Sequence, residues 1–300
     1  MKCGRESSRA IDLASIVVIA AFAAGQAYAF VPAVPMNGTD QGTLLLTARA
    51  LSAGSSGVFT IDQPHLFIAD QLLLVGSSRY VSKYPIGYPF LCAVAHRFAG
   101  ADAVFLINPV AGVLGLLGAF WMARLLAGSA AAFVATLILA CDPVVSFFAA
   151  STMTHTTAAT AGVWGMLCLW RWCEAGSRSA LLLCGALAAA ATSFRYVEAI
   201  LFLPIVALFV LHTRADSRLN AHVQAGVLMA GALLVFVPMG IYQWIALGSP
   251  FRTGYSLTNE STAFSVKWMW QHTPLLVRQM FETGFLPVGV TGLVGLALIR

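Results

Sequence analysis

Apolar runs of about membrane-spanning length follow one another along the chain, at roughly 11–31, 103–126, 129–150, 156–173, 179–194, 196–212, 223–247 and 284–299. A helix needs about 20 predominantly apolar residues to cross the hydrocarbon core. Charged residues make up only 10% of the chain, against about 25% in an ordinary soluble domain, and the deficit extends over the whole length. The pattern predicts an all-α polytopic membrane protein, a transmembrane bundle of about eight helices. The net charge of +5 reflects Arg and Lys that hold loops on the cytoplasmic side. No basic patch with interleaved aromatics occurs, which sets nucleic-acid binding aside. The six cysteines lie in or beside apolar runs, apart from Cys3, and read as buried thiols, not as a disulfide or metal framework.

The two runs flanking Ser193-Phe194-Arg195 are short and read as a tight pair joined at that polar break. With Lys2, Arg5 and Arg9 in the cytoplasm and one crossing per run, the inner loops carry Arg124, then Arg171 and Arg178, then Arg214 and Arg218, and finally Arg300. Positive charge then falls inside at every turn. The scheme needs residues 88–99, with His96 and Arg97, to lie along the membrane as an interfacial helix. The first run also has the marks of a signal peptide, with Arg5, Arg9 and the small-residue triplet Ala27-Tyr28-Ala29. We read it as an uncleaved helix; the loop after it faces outward in either case.

The expected organisation is a single transmembrane domain over 1–300. It has a first helix at 11–31, an outer loop with juxtamembrane helices at 32–102, the helix bundle at 103–247, a second sizeable outer loop at 248–283, and a last helix at 284–300. Arg300 is either a natural end or a point of truncation. The sequons Asn37-Gly38-Thr39 and Asn259-Glu260-Ser261 fall on the outer side. The multi-pass chain belongs in the cell (inner) membrane, with its N-terminus cytoplasmic and the loop that would carry chemistry extracytoplasmic.

The polar interval from Pro32 to Pro89 holds Asp40, Asp62 and Asp70 and closes with Lys83-Tyr84-Pro85-Ile86-Gly87-Tyr88-Pro89. Asp40 can act as a carboxylate at the membrane surface, or Thr39 or Asp40 can cap a helix running from about Gln41 to Leu51. Asp62 belongs to a turn signal, Asp62-Gln63-Pro64, and Asp70 to a solvated helix face. Lys83 and Tyr84 precede a turn stiffened by Pro85 and Pro89, which can hold a cation at headgroup depth; the plain alternative is a snorkelling Lys with a belt Tyr. Arg195 has apolar residues on both sides, and an ionisable group there is a functional candidate whose guanidinium suits a phosphate. Glu198, three residues on, can pair with it. His155 opens an apolar run as a capping residue or a ligand-binding one; His65 and His96 are weaker candidates. No His/Asp/Glu spacing makes a metal site.

Four blocks together resemble the polyprenol-dependent membrane glycosyltransferases of the C-type fold, near the protein mannosyltransferase and aminoarabinose transferase branch. These are Asp40-Gln41-Gly42 followed by Leu44, Ala48 and Leu51; the Lys83–Pro89 block; Phe194-Arg195-Tyr196-Val197-Glu198; and Gly248-Ser249-Pro250-Phe251-Arg252-Thr253-Gly254-Tyr255. The resemblance implies sugar transfer from a polyprenyl-phosphate donor to a hydroxyl acceptor, whether lipid-linked glycan, cell-envelope polymer or protein, with inversion. It implies Asp40 as the catalytic base, and Lys83, Tyr84, His155, Arg195, Glu198, Arg252 and Tyr255 as substrate-binding residues. The chain departs from the pattern at Ile86, where a second Pro is common, and at Gln41, where a second acid is common. His155 and threonines stand where several relatives carry an acid, so a divalent metal is possible but not indicated. The alternatives are a transporter or flippase, which calls for mid-helix charges in two repeats that the chain lacks, and a non-catalytic membrane fragment.

Overall fold

The computed structural model describes residues 2–30, 39–61, 71–75, 78–215, 220–258 and 265–282. Asp62, His65, Asp70, Arg218, both sequon asparagines and the expected last helix lie outside them. The chain divides into two units, Met1–Gly254 and Tyr255–Arg300.

Helix α1 (Lys2–Phe30) is followed by the loop helices α2 (Thr39–Ser52) and α3 (Gly87–Ala99), then by α4 (Ile107–Cys141), α5 (Pro143–Ala150), α6 (His155–Ala175), α7 (Arg178–Phe194), α8 (Phe202–Ala215) and α9 (Ala221–Leu247). Among the described residues four stretches are long and apolar enough to cross a bilayer: Ser8–Tyr28, Ala101–Cys141, Tyr196–Arg214 and Ala221–Leu247. Arg178–Phe194 is apolar but shorter, so of the two short runs expected around Arg195 only the first is short; the second, Tyr196–Arg214, is long enough to cross. The protein is therefore a helical membrane protein; the described residues hold fewer qualifying spans than the seven runs among them suggested, and the eighth run lies outside them.

Part of that shortfall is α4. It is two helices joined at Gly128, whose φ of 84° suits a residue without a Cβ. The chain reverses there. Asn108, near the start of α4, reaches the main chain of Ser151 and Met153, and Gly112 lies against Ala149. Runs 103–126 and 129–150 thus form an antiparallel pair. The second is broken where Asp142 caps α5, accepting from Val144 N and Val145 N at 2.7 and 3.1 Å, with Pro143 at the first helical position.

α1 is built into this pair. Ile19 and Phe22 pack with Leu116, Phe120, Ala132 and Ala149. At one end Asp12 accepts from Nε and Nη2 of Arg124 at 3.2 and 2.8 Å, and Ser8 meets Ser129 at 2.9 Å. α6, α7 and α9 pack as a second group. Its lower core joins Leu169, Trp172, Leu181, Ile205 and Leu228, and Trp172 donates to Gln224 at 3.2 Å. Gly185 and Gly231 let the backbones of α7 and α9 touch, the usual way for membrane helices to associate.

The first loop holds a feature the helix-dominated reading did not anticipate. Strands β1 (Phe59–Thr60), β2 (Leu72–Val75) and β3 (Arg79–Ser82) form an antiparallel sheet in the order β1-β3-β2. The strand residues Val75, Tyr80 and Val81 favour this conformation. Val81 is fully buried against Ala246 and Leu247 at the end of α9, which seats the sheet on the bundle.

In the second unit, α10 (Val266–Glu282) exposes Val266, Met269 and Trp270 and carries an Arg278–Glu282 ion pair at 2.7 Å.

Candidate functional site

The site is assembled at the end of the bundle where α2, α3, α6 and α7 meet. Leu44 and Ala48 of α2, Tyr88 and Cys92 of α3, Ala158 and Ala161 of α6, and Ala191 and Phe194 of α7 form one buried cluster, with Tyr84 packed against it. Three of the four sequence blocks therefore share a single floor.

Two glycines bring blocks still closer. A Cβ on Gly87 would stand 2.6 Å from the carbonyl oxygen of Ser193, so the Lys83–Pro89 turn lies against the last turn of α7. A Cβ on Gly254 would collide with the main chain of Lys83, so the Gly-Ser-Pro block rests on the same turn. Both contacts exclude any side chain.

Asp40 sits in the first turn of α2, half-buried, at the positive end of the helix dipole. Its neighbour Gln41 is buried and accepts from Thr152 Oγ1 at 3.3 Å. His155 is the first residue of α6 and stacks on Phe148 with 4.1 Å between ring centroids and 19° between planes. Its Nδ1 is buried without a hydrogen-bond partner. Burial, with the nearby Arg195 guanidinium acting the same way, pushes its pKa from 6.5 down to about 4, while Asp40 pulls in the opposite direction. The imidazole is neutral at pH 7, and both Asp40 and Arg195 lie within electrostatic reach of it. Arg195 caps α7 with extended backbone and pairs with Glu198 at 3.3 Å, as the i, i+3 spacing predicted.

Lys83 is buried, with its ammonium 5.4 Å from the centroid of the Tyr84 ring. Arg252 is exposed and donates to the Leu247 carbonyl at 3.1 Å, closing the end of α9. Tyr255 begins the second unit. Among the described residues no group of three or more His, Cys, Asp or Glu side chains is placed to hold a metal ion, so no step is assigned to one.

Sequence reasoning passed over Asn108, Thr152, Gln41 as a partner, and Phe148. Asn108 carried a signal: an isolated amide in an otherwise apolar run is costly unless it is used.

An apolar helical bundle that gathers a carboxylate, a neutral imidazole and a guanidinium at one end has the makings of a membrane-embedded enzyme. Residues 83–242 match the family model of the dolichyl-phosphate-mannose-protein mannosyltransferases, and the chain belongs to that family: it is a membrane glycosyltransferase. No curated protein and no solved structure matches it. The matched region takes in Lys83, His155, Arg195 and Glu198; Asp40 lies before it and Arg252 after it.

Proposed function

We propose that the protein transfers a sugar from a polyprenyl-phosphate donor to a hydroxyl acceptor at the extracytoplasmic face of the cell (inner) membrane, with its N-terminus cytoplasmic and with inversion at the sugar. The observation that carries this reading is the meeting of Asp40, His155 and Arg195 at one end of the bundle. The acceptor O–H gives its proton to the Asp40 carboxylate as the oxygen attacks the anomeric carbon. The bond from that carbon to the phosphate oxygen breaks on the opposite face. Arg195, held by Glu198, and Lys83 offset the charge left on the polyprenyl phosphate. Neutral His155 hydrogen-bonds a sugar or phosphate oxygen. Tyr84 and Arg252 contact the substrates around this centre.

A lipid donor is supported by an apolar cavity of about 860 Å³ whose walls include Leu91, Leu106, Val110, Trp164, Leu187 and Phe194. Phe194 adjoins Arg195, so a hydrocarbon chain lying there brings its phosphate to the cations. Membrane electrostatics support the orientation: Arg124, Arg171, Arg178 and Arg214 all lie at helix ends opposite the site.

The test is transfer by purified protein in lipid nanodiscs, with radiolabelled polyprenyl-phospho-sugars as donors. Asp40→Asn is expected to lose about 10²- to 10⁴-fold in kcat, the usual worth of a general base, with the fold intact. Transfer at the wild-type rate by this variant removes Asp40 from the base role.

A further inference from the structure

Asn108 is buried to 1% exposure at the outward start of α4. Its Nδ2 donates to two carbonyls of one loop, those of Ser151 and Met153. This loop links α5 to α6 and delivers two groups to the site. Thr152 is buried and donates to Gln41, the residue beside Asp40. Thr154 is buried immediately before His155 and is the N-cap of α6. The loop is therefore pinned from two sides, by the amide from α4 and by Gln41 from α2. Its own sequence, Ser151-Thr152-Met153-Thr154, supplies the local bond from Ser151 Oγ to the Phe148 carbonyl at 3.2 Å, but Ser and Thr hydroxyls can form several alternative local turns, so that bond alone would not fix the loop.

We propose that Asn108 is a positioning residue for sugar transfer, which sets the place of His155 directly and that of Asp40 through the Thr152–Gln41 bond. The inference rests on the proposed roles of Asp40 and His155. An amide is suited to the task because its NH2 group presents two N–H donors to two carbonyls at once. Asp has the same shape and, ionised, no donor; Ser keeps one donor, and Ala none. Without the amide the buried Ser151 carbonyl and the part-buried Met153 carbonyl would both lose their donor, and the loop would shift to find another.

The experiment compares Asn108→Ser, Asn108→Asp and Asn108→Ala with His155→Gln in nanodiscs. It reads kcat, donor KM, and the rate at which diethylpyrocarbonate acylates His155, followed by peptide mass spectrometry. The expected result is a graded loss of kcat, mildest for Ser and at least tenfold for Asp and Ala, with donor KM changed less than about threefold. His155 acylation rises about tenfold in the same order, and a second substitution at Gln41 adds less to Asn108→Ala than to the wild type. If His155→Gln transfers sugar at the wild-type rate, the underlying site assignment is wrong. If His155→Gln is impaired while the Asn108 variants keep both kcat and His155 protection, the positioning role is overturned. It is overturned equally if every Asn108 variant fails to accumulate as folded protein, since the amide then serves the fold alone.

Discussion

Gly87 and Ser193, 106 positions apart by their numbering, lie backbone to backbone, so that the Pro-stiffened turn of the first loop is fitted against the last residues of α7. The methyl group of Ala at 87 would overlap the Ser193 hydroxyl and main chain. Neither a carbonyl nor a short hydroxyl side chain can swing away. Gly87→Ala is expected to destabilise by about 1–3 kcal/mol, the range for overpacking, and to move Lys83 relative to Arg195. Thermal unfolding in nanodiscs and donor KM check both parts. A variant with unchanged melting temperature and KM would mean that the two backbones have slack between them.

Much of this arrangement was legible in the sequence. Helix α2 follows the cap signal at Thr39 and Asp40, α6 to α9 follow the apolar runs and charge breaks, and the Arg195–Glu198 pair follows from their spacing. The four blocks were chosen by resemblance, and three share a floor while the fourth touches Lys83. The sheet β1-β3-β2 was not legible, because its strands are two to four residues long and gain their stability from α9. Nor was the role of Asn108, whose partners lie 43 and 45 residues away in sequence. Long-range hydrogen bonds to main-chain carbonyls leave no trace in residue types at the receiving end.

Arg195 and Glu198 separate binding from stability. Their side chains are 33% and 21% exposed, and pairs so placed contribute about 0–1 kcal/mol. Glu198→Gln should therefore change the melting temperature little. Arg195→Ala should raise donor KM and lower kcat, and Arg195→Lys should recover only part of the loss, because an ammonium lacks the planar fork that matches phosphate. Full recovery by Lys would point to a point-charge role. Steady-state kinetics at two salt concentrations settle which.

α1 packs as a wall of the bundle. Its loss would uncover Leu116, Phe120 and Ala132 and leave Arg124 without Asp12. In a double-mutant cycle, Asp12→Asn and Arg124→Gln should couple by about 0.5–1 kcal/mol, since the pair is bidentate but partly exposed. Intact mass of protein purified from membranes should include residues 1–29. A mature chain beginning after Ala29 would contradict the packing.

His155 links the site to pH. Its folded-state pKa is about 4 against an ordinary 6.5, lowered first by burial and then by Arg195. Above pH 6.5 the imidazole is neutral in both folded and unfolded chains and contributes no pH dependence. Between 6.5 and 4 the unfolded chain takes up a proton that the folded one refuses, so acidification favours unfolding through this group. The wild type should lose stability relative to His155→Gln across that window and track it above. Arg195→Ala removes one of the two effects that lower the pKa, so the window should narrow from its acid end. Asp40→Asn removes the one opposing effect, so the window should widen. Melting temperatures of the four proteins from pH 3 to 8 supply the comparison. Parallel curves for wild type and His155→Gln would mean that the imidazole charges freely in place, and that the stacking on Phe148 does not keep water from it.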